Sequence, residues 1–87
     1  NKVFLGVDGI DLEFGLTTSN ALEAQLNKAM IKASEKVIVL SDSSKIGKRS
    51  FGKIADIQEM DVLITDSEIS KKNKMALEHL GIEVIVT

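Results

Sequence analysis

Phe4-Leu5-Gly6-Val7-Asp8-Gly9-Ile10-Asp11-Leu12-Glu13-Phe14-Gly15-Leu16-Thr17-Thr18-Ser19-Asn20 is the stretch whose reading decides the fold. It opens as a nearly continuous apolar run, the pattern of a strand buried on both faces in a parallel sheet. It breaks at Asp8-Gly9, passes through a polar segment with Gly15 and two threonines, and ends where a helix can start. In open parallel α/β proteins, ligands sit in the crevice outside the carboxyl ends of the strands. The segment from Asp8 to Ser19, read as a loop, should line such a crevice. A second polar loop, Ser41-Asp42-Ser43-Ser44-Lys45-Ile46-Gly47, follows the next apolar run. The two loops are read as half of a small-molecule site.

Outward from there, Asn20 with Glu23 three residues on predicts a capping box and a helix over about 21–34. Its inward face is expected to carry Leu22, Leu26, Ala29, Met30 and Ala33, which recur at helical spacing. Lys36–Leu40 predicts a second buried strand. Lys48–Lys53 reads as an extended or edge segment anchored by Phe51, and Ile54–Glu59 as a short helical turn. Val62-Leu63-Ile64 predicts a third strand. Ser70 suits an N-cap and Gly81 a C′ position for a helix over about 71–80, and Glu83–Thr87 supplies a last strand. The expected fold class is therefore α/β, a β-α-β-β-α-β order with a parallel sheet and right-handed crossovers. Four doubly buried strands need cover on both faces, and two helices are too few. The expectation is a fragment of a larger domain, or a face covered by a partner chain in an oligomer.

The composition narrows the function. The chain has 87 residues, no cysteine and a formal net charge of −2. Disulfide and thiolate chemistry are excluded. A negative balance, three phenylalanines and no Trp or Tyr give neither a basic footprint nor a stacking platform for nucleic acid. No apolar run reaches the roughly 20 residues of a membrane-spanning helix. With no signal peptide recognised, a cytoplasmic location is expected. There is no metal-ligand spacing, Walker loop, GxGxxG or nucleophile elbow, so neither a metal nor a cofactor is expected.

Four groups could carry chemistry. Asp8 and Asp11 are close enough in sequence to serve as acceptors for sugar hydroxyls or in proton transfer. Asp-Gly is equally at home in a simple turn. Thr17, Thr18 and Ser19 precede a helix N-terminus, where hydroxyls and free N–H groups suit a phosphate, or merely cap the helix. Lys45 can hold an anion as a point charge, or pair with Asp42 on the surface. Lys48, Arg49 and Lys53 would extend a positive patch or face solvent. His79, the one histidine, is expected near a helix end as a dipole-favoured surface group.

Val3–Ile10, Gly15-Leu16-Thr17-Thr18, Lys28-Ala29-Met30-Ile31, Asp42–Gly47 and Leu63-Ile64-Thr65-Asp66 together resemble the C-terminal sensor domain of DeoR-family transcriptional regulators, over essentially the whole chain. The resemblance implies a bacterial regulator, mostly a repressor of sugar catabolism, rather than an enzyme. It implies a sensor domain that binds a phosphorylated sugar and a DNA-binding winged helix-turn-helix in an N-terminal part absent here. The first half of the sensor domain, with another Ser/Thr-Gly phosphate loop, is also expected to lie outside these residues. The sensor domain is in turn similar to ribose-5-phosphate isomerase, a Rossmann-like fold, in which Asp-Gly-x-Asp and Asp-x-Ser-Lys loops line the sugar-phosphate site. Asp8-Gly9-Ile10-Asp11 and Asp42-Ser43-Ser44-Lys45 fit both patterns. The resemblance thus implies ligand contacts at Asp8, Gly9, Asp11, Thr17, Thr18 and Lys45. Asn27 stands where the isomerase has its glutamate base, and an amide cannot take a proton from carbon. Two other readings remain: a sugar-phosphate isomerase and a purely structural oligomerisation module.

Overall fold

The computed structural model describes all 87 residues. The strands are β1 (Lys2–Gly6), β2 (Gly9–Asp11), β3 (Gly15–Thr18), β4 (Lys36–Leu40), β5 (Gly52–Ala55), β6 (Val62–Thr65) and β7 (Glu83–Val86); the helices are α1 (Ala21–Lys32) and α2 (Lys71–His79). Short 3-10 turns cover Ser43–Lys45 and Ile57–Glu59. Strands β1, β4, β6 and β7 form a parallel sheet in that spatial order. This is the expected parallel α/β layout, compatible with a Rossmann-like sensor domain.

Strands taken in chain order have a consequence for cover. Right-handed crossovers between successive neighbours all pass over the same face of the sheet. Leu5, Val37, Val39 and Leu63 point to that face and join Ile10, Leu16, Ile54 and Leu77 in one buried cluster. On the opposite face, Phe4, Leu40 and Ile85 are 59%, 46% and 39% exposed. The bare face expected from the helix count is present only in part, because Ile38 and Val62, in register with Phe4, are buried.

The segment 8–19 is not the open loop predicted for it. It folds as a hairpin, β2 antiparallel to β3, and β5 adds to β3 to make a second, three-stranded sheet. Ile10 and Leu16 pair across the hairpin and are both fully buried. Glycine is required at Gly15 (φ +120°), where a Cβ would run into the Ala55 carbonyl. Strands of three or four residues containing two threonines carry little periodic signal, which is why the sequence reads as loop.

Three further expectations change. Residues 52–55 form a strand, so the helical turn expected over 54–59 shrinks to Ile57–Glu59, closed by a capping box between Asp56 and Glu59. Phe51, expected as an anchor, is 80% exposed. In α1 the Asn20 carboxamide accepts from the Glu23 N–H at 3.0 Å, one half of the expected capping box; the reciprocal bond from the Asn20 N–H to the Glu23 carboxylate is not formed. The buried face, however, carries Ala24, Asn27 and Ile31, while Leu22, Leu26 and Met30 are exposed. The helix leans on the small sheet, where Gly52 admits the Ala24 methyl closely, and small residues win that contact. Helix α2 starts at Ser70, whose hydroxyl accepts from Asn73 N–H at 3.0 Å, and stops before Gly81 at φ +89°. His79 is exposed in its last turn.

Candidate functional site

A cavity of about 630 Å³ opens beyond the carboxyl ends of β1 and β4, a size ordinary for small-molecule sites. Three segments wall it: Gly6-Val7-Asp8 leaving β1, Thr18-Ser19 leaving β3, and Ser41, Asp42 and Lys45 after β4. Glu23, Asn27 and Met30 of α1, Phe4 and Leu5 of β1 and Leu40 of β4 complete the lining.

Asp8 is the hub. Its Oδ2 accepts from Ser19 N–H (2.9 Å), Ser19 Oγ (3.0 Å) and Thr18 Oγ1 (3.1 Å). These donors, the Ser19 backbone N–H first, hold the carboxyl below its ordinary value of 3.8 against desolvation, with the Lys45 charge as the least of the causes. The group is a carboxylate at neutral pH, and its Oδ1 has no protein partner. It can accept a hydrogen bond from a ligand hydroxyl. The Ser19 N–H, which the sequence offered to a phosphate at the helix start, is engaged by this side chain instead.

The second loop is built by two aspartates. Asp42 accepts from the Ser44 hydroxyl and from Ser44 N–H (3.0 Å), which caps the turn carrying Lys45. The Ser44 hydroxyl is the main cause that lowers the Asp42 pKa. Asp66, at the end of β6, accepts from Ser43 Oγ (2.7 Å), Ser43 N–H (3.0 Å) and Glu68 N–H (2.9 Å), ties the turn to the sheet and is itself held low, chiefly by the Ser43 hydroxyl. Half-buried Lys45 has no ion-pair partner, so the surface pairing with Asp42 is not formed. Its ammonium is available to the cavity.

Of the sequence-predicted residues, Asp8, Thr18 and Lys45 therefore meet at one cavity. Gly9, Asp11 and Thr17 lie outside its lining, each for a local reason. A Cβ on Gly9 would strike the Thr17 hydroxyl and stand 2.5 Å from the Lys48 carbonyl oxygen, so the glycine serves close packing of backbone. Asp11 closes the hairpin turn: its Oδ1 accepts from Phe14 N–H (2.7 Å) and Glu13 N–H (2.9 Å), and these bonds, the Phe14 one first, lower its pKa. Arg49 pairs with its other oxygen at 3.3 Å and stacks over Phe14. Thr17 is fully buried and its Oγ1 accepts from Ser50 N–H at 2.9 Å. Sequence reasoning assigned no ligand contact to Glu23, Asn27, Ser41 or Asp42. The turn motif and helical spacing from the cap at Asn20 were the available signals.

Lys48 is exposed and Arg49 and Lys53 are engaged with Asp11 and Asp56, so the basic run forms no free anion site. No group of three or more His, Asp or Glu side chains is arranged to hold a metal ion. No helix is long and apolar enough to cross a membrane.

The family model described as the DeoR C terminal sensor domain matches residues 1–67. The chain is 45% identical over 86 residues to an aga operon protein of Escherichia coli O157:H7 named as a transcriptional repressor, covering 99% of this chain and 32% of that protein. It is 37% identical over 83 residues to the HTH-type transcriptional regulator GlpR of Haloferax volcanii (95% and 32% covered). To the HTH-type transcriptional repressor GlcR of Bacillus subtilis it is 36% identical over 87 residues (100% and 33% covered). The chain thus spans about a third of the length of these relatives. All three are transcriptional regulators and none is an enzyme by name.

Proposed function

Since this chain belongs to the DeoR C-terminal sensor domain family, whose members are transcriptional regulators and not enzymes, we propose that it is the effector-reading half of such a sensor and that its cavity takes a phosphorylated sugar. The observation that carries the reading is the facing of an ionised Asp8, with one oxygen free, and an unpaired Lys45 across a cavity at strand carboxyl ends. Carboxylate oxygens from Asp8, Glu23 and Asp42 suit hydroxyl donors, and Lys45 supplies the positive charge. Thr18 fixes Asp8, while Gly9, Asp11 and Thr17 hold the hairpin that presents it. Three carboxylates to one ammonium repel an anion overall, so the phosphate is placed at Lys45 and completed by donors from a part of the regulator outside these residues.

In this reading the whole protein is a cytoplasmic regulator of sugar catabolism, in most members a repressor. DNA contact belongs to an N-terminal helix-turn-helix. The first half of the sensor domain or a second copy covers the bare face around Phe4, Leu40 and Ile85. The sugar changes DNA affinity only if it binds one conformation or assembly more tightly than the other.

The test is thermal stabilisation of the full-length protein against sugar phosphates and the same sugars unphosphorylated. Ligand at 100 times its dissociation constant adds about 2.7 kcal/mol. The expected result is a shift with a phosphorylated sugar that Asp8→Ala and Lys45→Ala abolish. A folded protein indifferent to every sugar phosphate would favour the structural-module reading instead.

A further inference from the structure

Asn27 sits in the middle of α1, where asparagine is a poor helix former. Only 9% of it is exposed. Its neighbours along the buried stripe are Ala24 and Ile31, both apolar and both in the core. An aliphatic residue at this position would complete the stripe; the amide interrupts it. No protein group hydrogen-bonds the Asn27 side chain. Its polar atoms are not sealed in, because Thr65 Oγ1 is the one fully enclosed side-chain polar atom that lacks a partner. The opening they have is the cavity, whose wall includes Asn27 together with Asp8, Lys45 and Met30.

We propose that Asn27 is a specificity-determining residue of this cavity, its amide reading a hydroxyl of the bound sugar phosphate. This rests on the sugar-phosphate reading above and deepens it. Asp8 offers only an acceptor and Lys45 only donors, whereas the amide offers both without charge. A sugar hydroxyl also donates and accepts, so it can satisfy the amide and an adjoining carboxylate at once. A deoxy sugar, or an epimer with the hydroxyl turned away, leaves the buried amide unpaired. Loss of such a partner is the strongest basis for rejecting a close analogue.

The inference separates stability from binding. Asn27→Leu removes a polar group that the fold does not use, so the ligand-free protein should melt at the same temperature or higher. Binding should weaken tenfold or more, and Asn27→Ala should weaken it similarly. The assay is titration calorimetry on the full-length protein, with glucose 6-phosphate, galactose 6-phosphate, fructose 1-phosphate and ribose 5-phosphate as probes. The corresponding 2-deoxyglucose 6-phosphate is included. If one probe binds the wild type and Asn27→Leu binds it within twofold, while Asp8→Ala does not bind, the inference is overturned and the sugar-phosphate reading stands. If both Asn27 variants lose stability along with affinity, the amide is structural and the inference is overturned. If no probe binds the folded wild type, the underlying reading falls and the inference with it.

Discussion

Replacing Thr17 by valine separates the hairpin's architecture from ligand recognition. Thr17 has no exposed surface, and its hydroxyl oxygen accepts the Ser50 N–H at 2.9 Å in a part-buried setting. Valine keeps the β-branched shape and the strand preference, so packing changes little. What is lost is the acceptor. A buried donor left without a partner costs about 1–3 kcal/mol, and exchanging a hydroxyl for a methyl returns about 0.8 kcal/mol of apolar transfer. The net expectation is a destabilisation of about 0.2–2 kcal/mol. With a urea dependence of about 2 kcal/mol per molar for a small domain, the midpoint should fall by roughly 0.1–1 M. Because Thr17 is outside the cavity lining, the affinity of the folded protein for a sugar phosphate should stay within about twofold, the spread expected for a site with no contact. A variant as stable as the wild type but unable to bind the effector would refute this assignment and put the Thr17 hydroxyl in the site.

The core and the acid response give two more expectations. Leu63 is fully buried at the centre of the parallel sheet between Val39 and Val84, so Leu63→Ala should cost about 2–5 kcal/mol in urea unfolding. A cost below about 1 kcal/mol would mean that the sheet is not packed there. Asp8, Asp11, Asp42 and Asp66 are all held below 3.8 in the folded state by the bonds they accept. Groups with depressed folded values stabilise the fold fully above their unfolded value and lose that contribution as pH falls through the folded ones. The urea midpoint should therefore hold from neutral pH to about pH 5 and drop below about pH 4. Alanine at all four positions should flatten the profile. An equally steep loss in that variant would place the acid sensitivity elsewhere.

The arrangement of the site also shows how protein groups set its two loops. Asp8 binds the start of the helix entry, and Asp66 binds the turn after β4 from the neighbouring strand. Both use charge-assisted bonds, which are shorter and stronger than neutral ones. Each aspartate stands at or just beyond a strand's carboxyl end, so the parallel sheet itself fixes their separation. The loops are pre-organised by strand register together with their own serine, threonine and aspartate side chains. A ligand entering this cavity would therefore require little ordering of the protein.

The sequence by itself determined the parallel α/β order. Continuous apolar runs at 3–7, 37–40, 62–64 and 84–86, with caps at Asn20 and Ser70 between them, leave few other arrangements. It determined that one sheet face would be bare, because the helices are too few. It also brought Asp8, Thr18 and Lys45 forward as candidates, through residue type and place at strand ends. Tertiary structure alone decided that 8–19 is a hairpin, since strands this short are stabilised by pairing with β5, some 35 residues on, and not by local pattern. It decided which stripe of α1 is buried. Two faces compete along that helix, and packing against the small sheet, with Gly52 close to Ala24, goes with burial of the one that carries Ala24, Asn27 and Ile31. That choice also sets Asn27 at the cavity and leaves Leu22, Leu26 and Met30 exposed. Finally, tertiary structure separated Asp8 from Asp11. They stand three residues apart, yet one ends at the cavity and the other closes a turn, because a hairpin carries the chain away from the sheet end between them.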